Sequence, residues 1–392
     1  MISIEESNQI VSQLSALDKT EQVELTNGIG RILAQPIIAD TDQPPFDKSA
    51  MDGYTCKRED LGNPLKVLAT IAAGTLVNTP IQSGECYRIF TGAPVPNGVD
   101  CVIMQEDTSV DELGRVIFTA SQTKNNICYK GEDSKKDSIA IYTGTRLCPQ
   151  HLAIMAGCGV TKPWVYKKVE VSLFCSGSEL VEPNVKPSEA MIRNSNASQI
   201  LGQLIKTGTN TDYKGIVSDN FELVLQNIQL SIGKSDIIII TGGASVGDFD
   251  FIPEILNKLG ANIIISALNI QPGKPVLYAT FGNTHILGLS GNPVSSFLQY
   301  KLVAEPIILK LTGANSFLPK TMQIQLSSAL SRKKGNRQLY VPVCINKQGQ
   351  AEPLPFNGSA HIGALNLADG FAILEPGNNS VNALEQVQVI LI

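Results

Sequence analysis

No excess of basic residues, no C-x-x-C pair and no long apolar run occur in this 392-residue sequence. Its 31 Lys and Arg face 36 Asp and Glu for a formal net charge of −5. This removes the electrostatic footprint expected of a nucleic-acid or anionic-membrane binder. The eight cysteines (Cys56, Cys86, Cys101, Cys128, Cys148, Cys158, Cys175 and Cys344) are scattered. They offer no small disulfide framework and fit reduced thiols in a cytosol. Histidine is equally sparse. His151, His285 and His361 lie too far apart for a transition-metal site of recognisable spacing and are read as structural. Runs such as Ile237–Ile240 fall far short of the roughly 20 residues that cross a bilayer, and the acidic opening MISIEESNQI has no signal-type apolar region after it. The expectation is a soluble cytoplasmic protein without a nucleic-acid or membrane partner.

What is present is ordinary globular material, 43% apolar and 17% charged, in a chain long enough for two to four domains. Residues 1 to about 36 carry a 3.6-residue period with Ile10, Leu14 and Leu17 on one face, then a second short helical stretch around Val23 to Leu33. From about 42 to 145 short β-like runs (Leu65–Ala72, Cys86–Phe90, Cys101–Gln105, Arg115–Ala120) alternate with Gly, Pro and Asn clusters, the texture of an all-β unit. Pro149 suits the first position of a helix that stops at Gly157 or Gly159 and returns the chain to its first segment. From about 168 to 310 strands and helices alternate, which predicts a parallel sheet. The predicted helix Ala197–Lys206 is capped by Asn196 or Asn194 and stopped by Gly208. Val276–Phe281 and Thr284–Leu289 flank Gly282-Asn283 and predict a hairpin with an antiparallel edge. Beyond Gly313 the pattern is β-like to the end (Met322–Leu326, Gln338–Cys344, Phe371–Leu374, Gln386–Leu391), read as a small barrel. The fold class is thus multidomain α/β and β.

Chemistry concentrates after the strands of the α/β segment. The run Ser235–Thr241 leads into Gly242-Gly-Ala-Ser-Val-Gly-Asp248, where Gly242, Gly243 and Gly247 free backbone amides to face an anion and Ser245 adds a hydroxyl. From glycine spacing alone a plain tight turn is as good a reading. A second loop, Cys175-Ser-Gly-Ser-Glu-Leu180, follows another strand, and ligands of open α/β sheets bind beyond such carboxyl ends. Glu179, Asp219 and Asp250 then stand as oxygen donors for Mg²⁺ on a bound phosphate, or singly as solvated acids. Lys274, in Gln271-Pro-Gly-Lys-Pro275, is an oxyanion candidate or a surface lysine in a rigid turn. Beside it runs Leu289-Ser-Gly-Asn-Pro-Val294, with Ser290 and Asn292.

Together these stretches resemble the molybdopterin molybdenumtransferases, the bacterial MoeA proteins and the E domain of gephyrin. The matching pieces are Pro45-Phe-Asp-Lys-Ser-Ala-Met-Asp-Gly-Tyr54, Arg88-Ile-Phe-Thr-Gly-Ala-Pro-Val-Pro96, Gly131-Glu-Asp133, Ser176–Leu180, Gly242–Asp248, Pro272–Pro275 and Gly291–Val294, in order and in register. The resemblance implies four domains, a helical hub (1–41 plus 146–167), an inserted β domain (42–145), a central three-layer α/β molybdopterin-binding domain (168–312) and a C-terminal β barrel (313–392), in an elongated homodimer. It implies insertion of molybdate as co-substrate into adenylylated molybdopterin, with Mg²⁺-dependent release of AMP, and contact with the molybdopterin adenylyltransferase. It assigns Asp52, Thr91 and Asp133 to the β-domain side of a cleft between subunits. Glu179, Asp219, Asp250 and Lys274 fall to the central side, and Ser359 in Asn357-Gly-Ser-Ala360 to the molybdate site.

The chain also departs from the family pattern. Gln271 and Ala267 stand where lysines are usual, Cys128-Tyr-Lys130 replaces an arginine-rich run, Ser290 replaces a proline and Val341 a C-terminal arginine. Each cation contact to a buried oxyanion is worth about 1.5–3 kcal/mol, so such losses weaken molybdate binding unless Lys130, Arg193 or Arg332–Lys334 compensate. Two other readings follow: a diverged pterin-binding or scaffold member without catalysis, and a nucleotide pyrophosphatase of the competence-damage type using the shared α/β domain.

Overall fold

The computed structural model describes residues 1–242, 251–333 and 335–392. A capping box opens the first helix, α1 (Ile4–Ser12): Ser3 Oγ accepts from the Glu6 N–H at 3.1 Å and the Glu6 carboxylate accepts from the Ser3 N–H at 2.7 Å. The helix stops at Ser12, short of Leu17. Val11, Leu14 and Leu17 nevertheless pack into the same core as the central α/β unit. The helix expected over Val23–Leu33 shrinks to one 3₁₀ turn, Leu25–Gly28. Gly28 and Gly30 are poor helix formers, and Ile32 and Leu33 are drawn into bridges with Arg146 and Val165.

Four strands build the sheet of the inserted β segment: β1 (Gly53–Cys56), β2 (Lys66–Ile71), β3 (Glu85–Ile89) and β4 (Cys101–Met104), in the order β2-β3-β1-β4. Cys56, Cys86 and Cys101 are fully buried with Leu65 and Ile103, acting as small hydrophobes. Helix α2 (Pro149–Gly157) starts on its proline, and Met155 joins Leu33, Ile37 and Val165 in a separate small core.

The central sheet takes β5 (Glu170–Ser176), β6 (Asn210–Val217), β7 (Ile237–Thr241), β8 (Asn262–Ile265), β10 (Leu277–Phe281) and β11 (Thr284–Leu289), with the short β9 (Ile270–Gln271) outside it. Its order is β6-β5-β7-β11-β10-β8. β6, β5, β7 and β11 run parallel, while β10 is antiparallel to both neighbours. The expected hairpin forms, but its antiparallel strand β10 is not the edge. β8 covers it, because the chain after α5 (Ile252–Leu259) returns alongside β10 before the hairpin closes.

The unbroken apolar run of β7 follows from burial on both faces. Ile237 and Ile239 point with Val171, Leu173 and Leu287 toward α3 (Ser195–Thr207), α6 (Pro293–Gln299) and α7 (Glu305–Leu311). Ile238 and Ile240 point with Phe174 and Ile286 toward α4 (Phe221–Ser231) and α5. Between α6 and α7 the helix widens to a π turn over Tyr300–Ala304 just before Pro306, which eases the clash of the proline ring with the carbonyl one turn earlier.

In the C-terminal segment, β12 (Thr321–Gln325), β13 (Gln338–Ile345), β15 (Gly370–Leu374) and β16 (Gln386–Leu391) pair in the order β9-β13-β15-β16-β12, with β14 (Ala351–Pro353) on β13. A bridge between Leu326 and Ala351 ties the end of β12 to β14, turning the sheet back around Ile324, Val343, Ala372 and Val389. The sheet also recruits β9 from the central segment, in parallel with β13. Among the described residues no helix is long and apolar enough to cross a membrane.

Candidate functional site

Parallel strands deliver their following loops to one end of the sheet, and here four of these loops meet. The loops after β5, β6, β7 and β11 place Ser176, Gly177 and Glu179, then Asp219, then Gly242, then Ser290, Gly291 and Asn292 around a single cavity of about 820 Å³. The Gln271–Pro275 loop and Phe356, Gly358 and Ser359 complete the wall. Glu179, Asp219, Gly242, Lys274, Ser290, Asn292 and Ser359, drawn from stretches far apart in sequence, therefore share it. Gly243, Ser245, Gly247 and Asp250 lie outside the described residues.

The acid side is built by short-range hydrogen bonds. Ser176 Oγ donates to Asp219 Oδ1 at 2.6 Å and the Ser178 N–H to Oδ2 at 3.2 Å, while Ser178 Oγ accepts from the Asp219 N–H at 3.2 Å. The β5 and β6 loops are thereby locked together. Glu179 is exposed to the cavity. Gly242 holds φ at +85°, and a Cβ there would lie 2.1 Å from the Ser176 carbonyl oxygen, so only glycine permits these two loops to touch.

The opposite side depends on a residue that the sequence did not single out. Gln299, fully buried at the end of α6, donates through Nε2 to the carbonyls of Gly273 at 2.8 Å and Pro275 at 2.5 Å. Its Oε1 accepts from the Ser290 N–H at 2.8 Å. One amide thus fixes the Lys274 turn against the Ser290 loop. Asn196 does similar work: Nδ2 donates to the Gly291 carbonyl at 2.8 Å and Oδ1 accepts from Ser296 Oγ at 3.2 Å. The helix cap is Asn194, whose Oδ1 accepts from the Ala197 N–H. The only sequence signal for Gln299 was a polar residue inside an apolar helix, Phe297-Leu-Gln-Tyr300. The C-terminal segment is stitched on through the Val294 N–H, which donates to the Ser359 carbonyl at 2.9 Å.

Asp52, Thr91 and Asp133 are not among the residues lining this cavity. Asp52 Oδ1 accepts from both the N–H and the hydroxyl of Thr91, each at 2.7 Å. The Thr91 N–H, then its hydroxyl, holds the Asp52 carboxyl below its ordinary range and so ionised. Asp133 donates its N–H to the Gln43 carbonyl at 2.9 Å.

Two carboxylates in the lining of one cavity suit Mg²⁺, which commonly takes one or two protein carboxylates beside phosphate oxygens and water. Among the described residues no cluster of three or more acids, cysteines or histidines could hold a metal alone. A divalent ion here would depend on a ligand's oxygens as well.

Family models match the chain in three stretches: the MoeA N-terminal region, domains I and II, over residues 2–159; a probable molybdopterin binding domain over 172–310; and the MoeA C-terminal region, domain IV, over 324–392. A molybdopterin molybdenumtransferase of Staphylococcus epidermidis is 30% identical over 399 residues, covering 100% of this chain and 95% of the relative. That of Bacillus subtilis is 31% identical over 406 residues, covering 100% and 94%. The crystal structure of the molybdopterin biosynthesis MoeA protein from Pyrococcus horikoshii OT3 superposes with a TM-score of 0.82 at 25% identity, with full coverage of both chains. The chain belongs to the molybdopterin molybdenumtransferase family.

Proposed function

We propose that this protein acts in molybdenum-cofactor assembly as a transferase, inserting molybdate into adenylylated molybdopterin with release of AMP. One observation carries the reading: two acid-bearing loops beyond the carboxyl ends of parallel strands and the lysine-bearing loop between β9 and β10 face one cavity. In this reading Glu179 and Asp219, with Asp250, hold Mg²⁺, which when bound offsets the charge of the phosphoanhydride. The backbone around Gly242 and the Gly291-Asn292 loop seat the phosphates. Lys274, Ser290 and Ser359 hold the tetrahedral oxyanion near the dithiolene. Asp52 and Thr91, with Asp133, approach from a second protomer of a homodimer, a geometry favoured by their absence from the cavity lining of their own chain. The same reading keeps the division 1–41 plus 146–167, 42–145, 168–312 and 313–392, and takes the adenylylated substrate from an adenylyltransferase partner.

The test is AMP release from adenylylated molybdopterin by the full chain with Mg²⁺ and molybdate. Glu179→Ala and Asp219→Ala are each expected to lower the rate at least about 100-fold, as for loss of a charge-stabilising contact. Tight pterin binding with no AMP release at any molybdate concentration would replace this reading with the non-catalytic pterin-binding one, which the neutral Gln271 and Val341 favour.

A further inference from the structure

Pairing of β9 with β13, Ile270 with Gln338 and Gln271 with Leu339, carries the preceding Arg337 beside Asn269, at the start of the strand that ends on Gln271. Arg337 Nη1 donates to the Ile270 carbonyl at 3.3 Å. Arg337 and Gln271 are also the residues common to the main cavity and a neighbouring one of about 420 Å³, which Arg332, Lys333 and Asn336 help to line. The two arginines of that segment are used differently. Arg332 gives its guanidinium to the carbonyls of Gly335, Arg337, Glu375 and Asn378 and so serves the backbone. Arg337 makes one such bond, and among the described residues neither it nor Lys274 has a carboxylate partner. The main cavity therefore has two cations, Lys274 and Arg337, in its lining, where Gln271 contributes none.

We propose that Arg337 and Lys274 together form the oxyanion subsite of this cavity, selecting a tetrahedral dianion of the molybdate class. Arg337 presents a planar fork able to meet two oxygens at once, and Lys274 a point charge. Ser290 and Ser359, which line the same cavity, add hydroxyls. Arg337 thereby supplies from the C-terminal sheet the charge that position 271 lacks. This rests on the reading proposed above, and the following experiment separates the two.

Molybdate and molybdopterin binding would be measured separately by calorimetry on the full chain and on Arg337→Met, Arg337→Lys and the double variant Arg337→Met/Gln271→Lys. Arg337→Met is expected to weaken molybdate binding at least tenfold, with pterin affinity and thermal midpoint unchanged. Arg337→Lys should fall between, and the double variant should recover part of the loss. Unchanged molybdate affinity in Arg337→Met overturns the subsite and leaves the functional reading standing. Loss of pterin and molybdate binding together in Arg337→Met also overturns it, in favour of a structural role. A native chain that binds pterin but no molybdate at millimolar concentration overturns both.

Discussion

Gln299 shows what one buried side chain can do for a site it does not enter. Its three hydrogen bonds hold the Gly273 and Pro275 carbonyls and the Ser290 amide at fixed separation. Gln299→Leu keeps the volume and strands those backbone groups away from water, at a cost of roughly 2–4 kcal/mol in stability. Urea unfolding should show that loss, and molybdate affinity should fall with it. At this scale the sequence was legible for groups that recur in motifs: Glu179, Asp219, Lys274 and Ser359 all face one cavity. It was not legible for Gln299, Asn196 or Arg337, whose importance comes from partners tens of residues away in the chain. No local pattern encodes such pairings.

Among the elements, the turn that leaves β7 is the most constrained. Its Gly242 sits with positive φ over the Ser176 carbonyl, so Gly242→Ala faces both an unfavourable backbone region and a collision with backbone that cannot rotate away. The expected destabilisation is roughly 2–3 kcal/mol, and a variant as stable as the native chain in urea would contradict the close approach of these loops. Strand and helix content was readable where periodicity was long, as in β7 with its two buried faces or α3 with Asn194 and Gly208 at its ends. It failed at Val23–Leu33, where long-range bridges override a weak local preference, and at the sheet edge, where the three isoleucines of β8 suit a strand but do not name the neighbour it pairs with.

For the molecule as a whole, two behaviours follow. Burial holds the His285 imidazole, bonded through Nδ1 to the Tyr278 hydroxyl at 2.8 Å, below its ordinary 6.5. The folded chain keeps this ring neutral where the unfolded chain takes up a proton, so the associated stability is complete above pH 6.5 and drains away as pH falls below it. The thermal midpoint should drop between pH 7 and pH 5, and His285→Gln should flatten that part of the profile. The second behaviour concerns the proposed dimer. If Asp52 of one protomer serves the cavity of the other, Asp52→Ala and Asp219→Ala chains are each inactive alone. Subunit exchange between them should then restore about a quarter of native AMP release, because half the dimers are mixed and each has one intact cleft. No recovery on mixing would place both groups in the same chain's site.

The two-residue strand β9 ties the Lys274 turn to two distant elements: its upstream backbone pairs with β13 of the C-terminal sheet, while its Gly273 and Pro275 carbonyls are held by Gln299 of helix α6. Exchanging the C-terminal segment for a relative's would therefore replace Arg337 and Ser359 in the cavity lining while leaving Glu179, Asp219 and Gly242 in place.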